Sequence, residues 1–476
     1  MTRSLAALLA AATLAACARN PVTGKRQLSL ISKEQEIALG KEGAAQVEQS
    51  IGRYPDPKVQ AYVEAIGKKM AAASERPDLP WSFTVLDDPS VNAFALPGGP
   101  VFVTRGILGY MTSEAELASV LGHEIGHITA RHSAEQLSKA QLAQLGLGVG
   151  MIFSEDLRQY GQLAGVGLQL VFLKFGRDAE RQADDLGFKY MVGQRYDPRE
   201  MARVFRMLDR QTAQAGGGGR LPEWLSTHPN PGGRAEKAAD RAAKVTDVQG
   251  RIVDRDEYLA HLGGMVFGEN PRQGFFQGNA FLHPDLRFRI DFPEGWQKQN
   301  TAAAVVALSP QKDAAVQLSI AGKLSPEQAR AKFFSQEGVK PLALGAAAGG
   351  AAAAAFEAQT EQGALRGIVS FVPHGGATYQ LVGFTPAQKL DAYAAAFQRS
   401  FATFGPLTDP AALAVQPARI ELVKVPRDMT AAEFQAQFPS SVPPEVVALA
   451  NGLADGEKLE AGRTAKRIVG GELPKR

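Results

Sequence analysis

The sequence has one cysteine, Cys17, in 476 residues, so an internal disulfide is excluded and that residue needs another explanation. No apolar run reaches the ~20 residues that a membrane-spanning helix requires. Long basic runs are missing as well, and 52 basic against 49 acidic side chains leave a net charge of only +3, which gives no basis for a nucleic-acid partner. Nor does any period of about 34 residues mark helical tetratricopeptide repeats. What remains is an ordinary globular composition, 45% hydrophobic and 21% charged, on a chain long enough for two or three domains.

Cys17 is accounted for by its surroundings. Arg3 precedes the apolar run Leu5–Leu14, and Leu14-Ala15-Ala16-Cys17 follows. A short positive region, a short apolar segment and small residues describe an export signal. Leu-Ala-Ala-Cys resembles a bacterial lipobox, in which the cysteine becomes the lipidated first residue. Residues 1–17 are therefore expected to be a lipoprotein signal peptide, with Cys17 as the membrane anchor. Ala18 is not the aspartate that retains many Gram-negative lipoproteins at the inner membrane. The expected location is the periplasm, anchored to the outer membrane.

The most informative stretch is Ser119–His132, SVLGHEIGHITARH. Leu117, Val120, Leu121, Ile125 and Ile128 recur at three- and four-residue steps, which predicts a buried helix. On that helix His123 and His127 share a face and can point two imidazoles at one ion. Glu124 lies about 100° round from His123, within reach of a water beside that ion. Two imidazoles suit zinc, which takes a third protein ligand and leaves a fourth position open in a catalytic site. The alternative is a pair of core histidines satisfied by hydrogen bonds.

Before this helix, Ser32 and Gln35 form a capping-box pattern. Helical stretches follow to Ala73, broken at Pro55 and Pro57. Residues 82–86 read as a strand, and 91–104 as a hairpin turning at Gly98-Gly99. Asn92, Ala93 and Phe94 on that hairpin are candidates for binding an extended peptide by strand addition, the alternative being a purely structural hairpin. After the helix, residues 142–153 and 163–175 read as two apolar, glycine-rich helices packing over the site. Glu180 and Asp184 are four apart and share a helical face. Read alone, with Arg177 and Arg181 beside them, they fit a solvated acidic face as well as a metal site. His228, before Pro229, reads alone as a loop histidine or a site residue. His132 falls about 140° round from His127 on a continuous helix and is not read as a ligand. His261, His283 and His374 have no partner pattern.

Taken together, Asn20-Pro21-Val22-Thr23-Gly24, Asn92-Ala93-Phe94, His123-Glu124-Ile125-Gly126-His127, Glu180 to Asp184 and Thr227-His228-Pro229 resemble the HtpX/BepA-type gluzincin metallopeptidases. This is the family of the CAAX prenyl endopeptidase, peptidase family M-48. The resemblance covers residues 25–245 or so, about half the chain. It implies one Zn2+ per chain held by His123, His127 and Glu180, with Glu124 as base and Asp184 hydrogen-bonding a ligand histidine. It also places His228 beside the metal, either to stabilise the oxyanion or to occupy the water position and keep the site closed.

The expected fold class is α+β multidomain. A mainly helical zincin-type domain (18–262) carries a small β-hairpin, followed by a linker (263–279), an α+β accessory domain (280–407) and a small module (415–472). Strands are expected at 286–292, 303–308, 315–320, 367–372 and 379–384, helices at 325–337 and 388–401, and a loop at 346–355. The accessory domain has a look of the PsbP/Mog-like sheet. The last module resembles a degenerate LysM, which would suggest peptidoglycan contact. The function expected is a zinc metalloendopeptidase that cleaves misfolded or stalled cell-envelope proteins, its partners being those substrates and the membrane through Cys17. The alternative is a non-catalytic envelope chaperone or scaffold that binds unfolded clients.

Overall fold

The computed structural model describes residues 17–144, 175–215, 224–228, 231–342, 353–360 and 363–474. The expected signal peptide before Cys17 lies outside them, as do nearly all of the two apolar stretches 142–153 and 163–175. The chain divides into two compact units. One comprises the residues up to Gly268 together with Arg419–Val469, the other Glu269–Ala418 with the C-terminal residues. Among the described residues no helix is long and apolar enough to cross a membrane.

The first unit opens with two short antiparallel strands, β1 (Cys17–Arg19) and β2 (Arg26–Leu28). Helix α1 (Lys33–Ser50) starts at the expected capping box, with Ser32 and Gln35 each satisfying the other's backbone N–H. Helix α2 (Pro57–Ala72) has Asp56 as cap and proline in its first turn, where a missing N–H costs nothing. Strands β3 (Ser82–Leu86), β4 (Ala93–Ala95) and β5 (Pro100–Thr104) form a sheet in the order β3-β5-β4. The expected hairpin is β4–β5, in antiparallel register, while β3 pairs with β5 in parallel, so β4 lies at an edge.

Helix α3 (Arg105–Tyr110) leads into α4 (Glu114–Thr129), all of whose residues are buried. An all-round buried helix runs through the middle of a unit and must find partners for its polar groups. Ser113 caps α4 by accepting from Glu116 N–H. Helices α5 (His132–Gln144), α6 (Arg177–Gly193), α7 (Arg199–Ala215), α8 (Trp224–Thr227), α9 (Pro231–Ala242) and α10 (Arg255–Leu262) complete the helical part. Two glycines fix how closely α4 and α6 approach. A Cβ on Gly126 would sit 3.0 Å from Ala183 O, and one on Gly187 would sit 2.9 Å from His123 N. Only glycine allows backbones this near, and the closeness brings the first turn of α6 against the histidines.

The second unit is built on a seven-stranded antiparallel sheet and a four-stranded one. It contains β6 (Phe275–Gln277), β7 (Ala280–His283), β8 (Phe288–Asp291), β9 (Gln297–Asn300), β10 (Ala304–Leu308), β11 (Ala315–Gly322), helix α11 (Pro326–Phe334), β12 (Val339–Leu342), β13 (Ala354–Thr360), β14 (Gly363–His374), β15 (Ala377–Pro386), helix α12 (Leu390–Ala402), β16 (Gly405–Pro406) and helix α13 (Pro410–Leu413). The large sheet runs β12-β13-β14-β15-β11-β10-β9 and the small one β16-β8-β7-β6. The five expected strands and two helices are present within a few residues. Strands β6, β7, β9, β12, β13 and β16 are additional. The expected loop 346–355 is shorter, because Ala354 and Ala355 already pair with Val369 and Ile368; residues 343–352 lie outside the described ones. The expected linker 263–279 is also curtailed. From Glu269 onward it belongs to the second unit, where Phe275 packs with Leu282, Leu407, Ala412 and Val415.

The last module consists of β17 (Arg419–Lys424), α14 (Ala431–Gln437), α15 (Pro444–Ala450) and β18 (Thr464–Val469). Expected as a separate domain at 415–472, it instead belongs to the first unit. Lys466 is fully buried and donates to Gly109 O at 2.7 Å and Met111 O at 2.6 Å, at the C-terminal end of α3. Those carbonyls have no partner inside their own helix, so the lysine satisfies both.

Candidate metal centre

Helix α4 presents His123 and His127 one turn apart, and α6 presents Glu180 in its first turn. His228 follows α8, its N–H donating to Trp224 O at 2.8 Å. One ligand atom from each of these four buried side chains lies within 4.8 Å of the other three. His127 Nε2 is 3.0 Å from His123 Nε2, which is 3.3 Å from His228 Nδ1. Glu180 Oε1 is 2.9 Å from His228 Nδ1 and 3.4 Å from His127 Nε2. Four donors placed about 2.0–2.1 Å from a central zinc in a tetrahedron would be about 3.3 Å apart. The observed spacings bracket that value, and three imidazoles with one carboxylate are donors that zinc accepts.

Burial sets the protonation of these groups. It pushes His123 down to about 4, aided by the positive Arg234, and it holds His127 well below the usual histidine range. Both are thus neutral and able to offer a lone pair. For Glu180 burial acts upward, but the charge of His228 and hydrogen bonds from His127 and His228 prevail and hold it well below the carboxylate range. Burial drives Glu124 the other way, up to about 8, with Glu180 adding to the rise and His228 and Arg234 opposing it. Glu124 Oε1 accepts no hydrogen bond among the described residues, and His228 Nε2 is 3.7 Å away. A buried carboxylate oxygen without a hydrogen bond next to four ligand atoms is the kind of exception that marks a site.

Asp184, expected one turn beyond Glu180, has Oδ1 3.0 Å from His123 Nδ1, so it orients that ring from behind. Asn92, Ala93 and Phe94 divide into two kinds. Phe94 turns its ring into a core with Val47, Leu86, Leu96 and Phe102, and Asn92 is buried. What the strand can offer a peptide is its main chain. Thr104 N–H donates to Asn92 O and Leu96 N–H to Pro100 O, so residues 92, 94 and 96 face β5. By alternation the groups of Ala93 and Ala95 point away from β5, Ala93 fully buried and Ala95 partly exposed. His261, stacked on Tyr62, and His283 and His374, among aromatic rings of the second unit, do not join the ligand group. Cys17 begins β1, three residues before the buried Asn20.

Three contacts of the site are not predicted by spacing in the sequence. Arg234, on α9, is buried and donates through Nε and Nη2 to both oxygens of Asp184, at 2.9 and 2.6 Å. Its Nη1 lies 2.9 Å from Glu180 Oε2 as an ion pair rather than an aligned hydrogen bond. A lone arginine 50 residues beyond Asp184 carries no spacing signal. Second, the C-terminal carbonyls of α4 are satisfied from afar: Arg76 donates to Ile128 O at 3.0 Å, and Asn20 and Gln27 donate to Ala130 O at 3.2 and 3.1 Å. Third, His132 touches His127 after all, though not as a ligand.

Residues 57–242 match the sequence profile of peptidase family M48. The chain is similar to "Beta-barrel assembly-enhancing protease" of Yersinia pestis, 30% identical over 230 residues that make up 47% of each chain. It is also similar to "Mitochondrial metalloendopeptidase OMA1" of Schizosaccharomyces pombe, 32% identical over 221 residues, 46% of this chain and 64% of that one. It thus spans between about half and two thirds of the length of these relatives. Among solved structures, the cyanobacterial PsbP of Synechocystis aligns with 27% of this chain and 91% of its own at 12% identity and a TM-score of 0.21, a score on which no fold argument rests.

Proposed function

We propose, on the premise that residues 57–242 belong to peptidase family M48, that this chain is a zinc-dependent metalloendopeptidase acting on misfolded or stalled cell-envelope proteins. The observation that carries the reading is the buried group of His123, His127, Glu180 and His228 at tetrahedral spacings, with Glu124 beside it. His123, His127 and Glu180 would hold the ion. Zinc in that place would supply Lewis acidity to a scissile carbonyl and lower the pKa of an attacking water. Glu124 takes the proton from that water and delivers it to the leaving amine, one carboxylate serving in both directions. Asp184 keeps His123 in the tautomer whose Nε2 is free to bind, and Arg234 holds Asp184 and Glu180 in place. An extended substrate adds to the edge of β4, beginning at the partly exposed main chain of Ala95.

His228 is the gate. Its Nδ1 would occupy the position beside His123, His127 and Glu180 that an attacking water needs, and Trp224 stacks against its ring at 4.3 Å between centroids. Cleavage therefore requires that His228 swing away. Anchoring through Cys17 to the outer membrane, facing the periplasm, fits substrates of the envelope, and the module at 419–469 is the part assigned to peptidoglycan contact.

The test is zinc content and cleavage of an unfolded protein such as reduced casein by the full chain and two variants. Wild type should hold about one zinc per chain. Glu124→Gln should hold zinc equally and lose about 10²–10⁴-fold in cleavage rate. His228→Ala should keep zinc and cleave faster. Cleavage retained by Glu124→Gln, or a wild-type chain that refuses zinc, would end the proposal. Slower cleavage by His228→Ala would instead assign this histidine to the oxyanion.

A further inference from the structure

A continuous helix would carry His132 away from His127, yet the two rings meet. Helix α4 ends at Thr129, and Arg131 adopts a left-handed φ of 63° before α5 begins at His132. A side-chain-bearing residue in that region needs support from its surroundings. Arg131 donates from Nε to Glu36 Oε2 at 3.0 Å and from Nη2 to Ile31 O at 2.7 Å, while Asn20 and Gln27 hold the carbonyl of Ala130 just before it. The reversal returns the His132 ring to the back of the site. Its Nδ1 lies 2.9 Å from His127 Nδ1 and its Nε2 3.0 Å from Gln182 Oε1, with both rings buried.

Proton positions along this row follow from one requirement. His127 Nε2 faces the ligand group, so it must be bare to bind an ion and the ring's proton must sit on Nδ1. Nδ1–H then donates to His132 Nδ1, which must be bare in turn. His132 keeps its proton on Nε2 and donates it to the amide oxygen of Gln182. Each hydrogen bond has one donor and one acceptor, all pointing the same way, and no group is left over.

We infer that His132 is a positioning residue for the metal centre: it fixes the tautomer and orientation of His127 as a neutral hydrogen-bond acceptor, itself held by Gln182. The two ligand histidines are thus supported differently, His123 by the carboxylate of Asp184 and His127 by an uncharged imidazole–amide row. A charge-free support leaves the net charge around the ion unchanged while still setting the ring. The inference rests on the zinc reading of His123, His127 and Glu180.

The experiment is zinc affinity of the full chain, measured by competition with a chromophoric chelator, for wild type, His132→Leu and His132→Asn. Leucine fills space without an acceptor, whereas asparagine places an amide oxygen where His132 Nδ1 was. Groups that orient metal ligands typically contribute about 10–100-fold in affinity. His132→Leu should therefore bind zinc about 10–100-fold more weakly, and His132→Asn should recover most of the loss. Wild-type affinity in His132→Leu would overturn the inference, and so would equal weakness in both variants, which would reduce His132 to packing. If the variants do not fold, nitrogen NMR of the zinc-loaded wild-type chain labelled at histidine decides. A proton on Nε2 alone of His132 supports the inference, and a proton on its Nδ1 refutes it. A wild-type chain that takes up no zinc would fail the metal reading itself, which these outcomes keep separate.

Discussion

The two units bury different things. The first encloses ionisable side chains in number, among them Glu36, Arg76, Arg105, Glu116, His123, Glu124, His127, Glu180, Asp184, Arg234 and Lys466. In the second, the buried polar residues among those described are Ser309, Thr378, Thr385 and Ser400, with no buried carboxylate, histidine, lysine or arginine. Its interior is apolar, with Phe281, Phe288, Ile290, Val316, Leu381 and Phe397 in one cluster and Phe333, Phe356 and Phe371 in another. Removing a charge from water is costly unless another group compensates it, so a fold that only needs stability buries hydrocarbon. The contrast locates chemistry in the first unit without reference to any motif. It also shows how the cost is met there: Arg234 neutralises two acids at once, and Lys466 closes two orphan carbonyls.

The sharpest way to break the contrast is to remove one buried charge. Arg234→Leu leaves Glu180 and Asp184 uncompensated and should cost the metal-free first unit about 3–5 kcal/mol in urea unfolding. A smaller cost would mean that water reaches those acids. Next come truncations in the two cores, Leu121→Ala on α4 and Leu381→Ala on β15, both at fully buried positions. Each should destabilise its own unit by about 2–5 kcal/mol. Only the first should lower zinc affinity, because α4, unlike β15, carries two of the proposed ligands, His123 and His127. A zinc effect from Leu381→Ala would erase the functional side of the comparison.

Lys466 supplies a pH test. Burial pushes its ammonium down to about 7, against the partial support of Glu116. An unfolded lysine titrates near 10.4, so between about 7 and 10.4 the unfolded chain binds the additional proton. Stability of the first unit should therefore rise with pH across that window, with a slope of at most about 1.4 kcal/mol per pH unit from this group. Lys466→Met should flatten that part of the profile, and an unchanged slope would show that the lysine is charged in the fold. The smallest effect belongs to the second unit's surface. Arg366 and Glu357 form an ion pair at 2.8 Å on exposed strands, and Arg366→Ala should change stability by only about 0–1 kcal/mol.

Legibility in the sequence followed distance along the chain. The capping box at Ser32, the one-turn spacing of His123 and His127, and the shared face of Glu180 and Asp184 all lie within a single turn of helix, so period and spacing exposed them. Strands β10, β11, β14 and β15 were legible for the same reason, each carrying alternation long enough to count. β12 and β9 were not, since Val-Lys-Pro-Leu and Gln-Lys-Gln-Asn show too little apolar alternation to announce a strand. On a continuous helix His132 would point away from His127, and nothing in Thr129-Ala130-Arg131 foretells a left-handed arginine. That conformation depends on Glu36 and Ile31, about a hundred residues earlier.

By itself the sequence determined the helix that bears two imidazoles and a carboxylate, and the alternation of the second unit's main strands. These are properties of neighbours, fixed by the 3.6-residue and two-residue periods of the backbone. Tertiary structure alone decided that Arg234 grips Asp184 and Glu180, that β5 rather than β3 lies at the centre of its sheet, and that residues 419–469 close on the first unit through Lys466. These partners meet because glycine contacts, unpaired carbonyls and buried charges must each be satisfied by whatever the packed chain brings near.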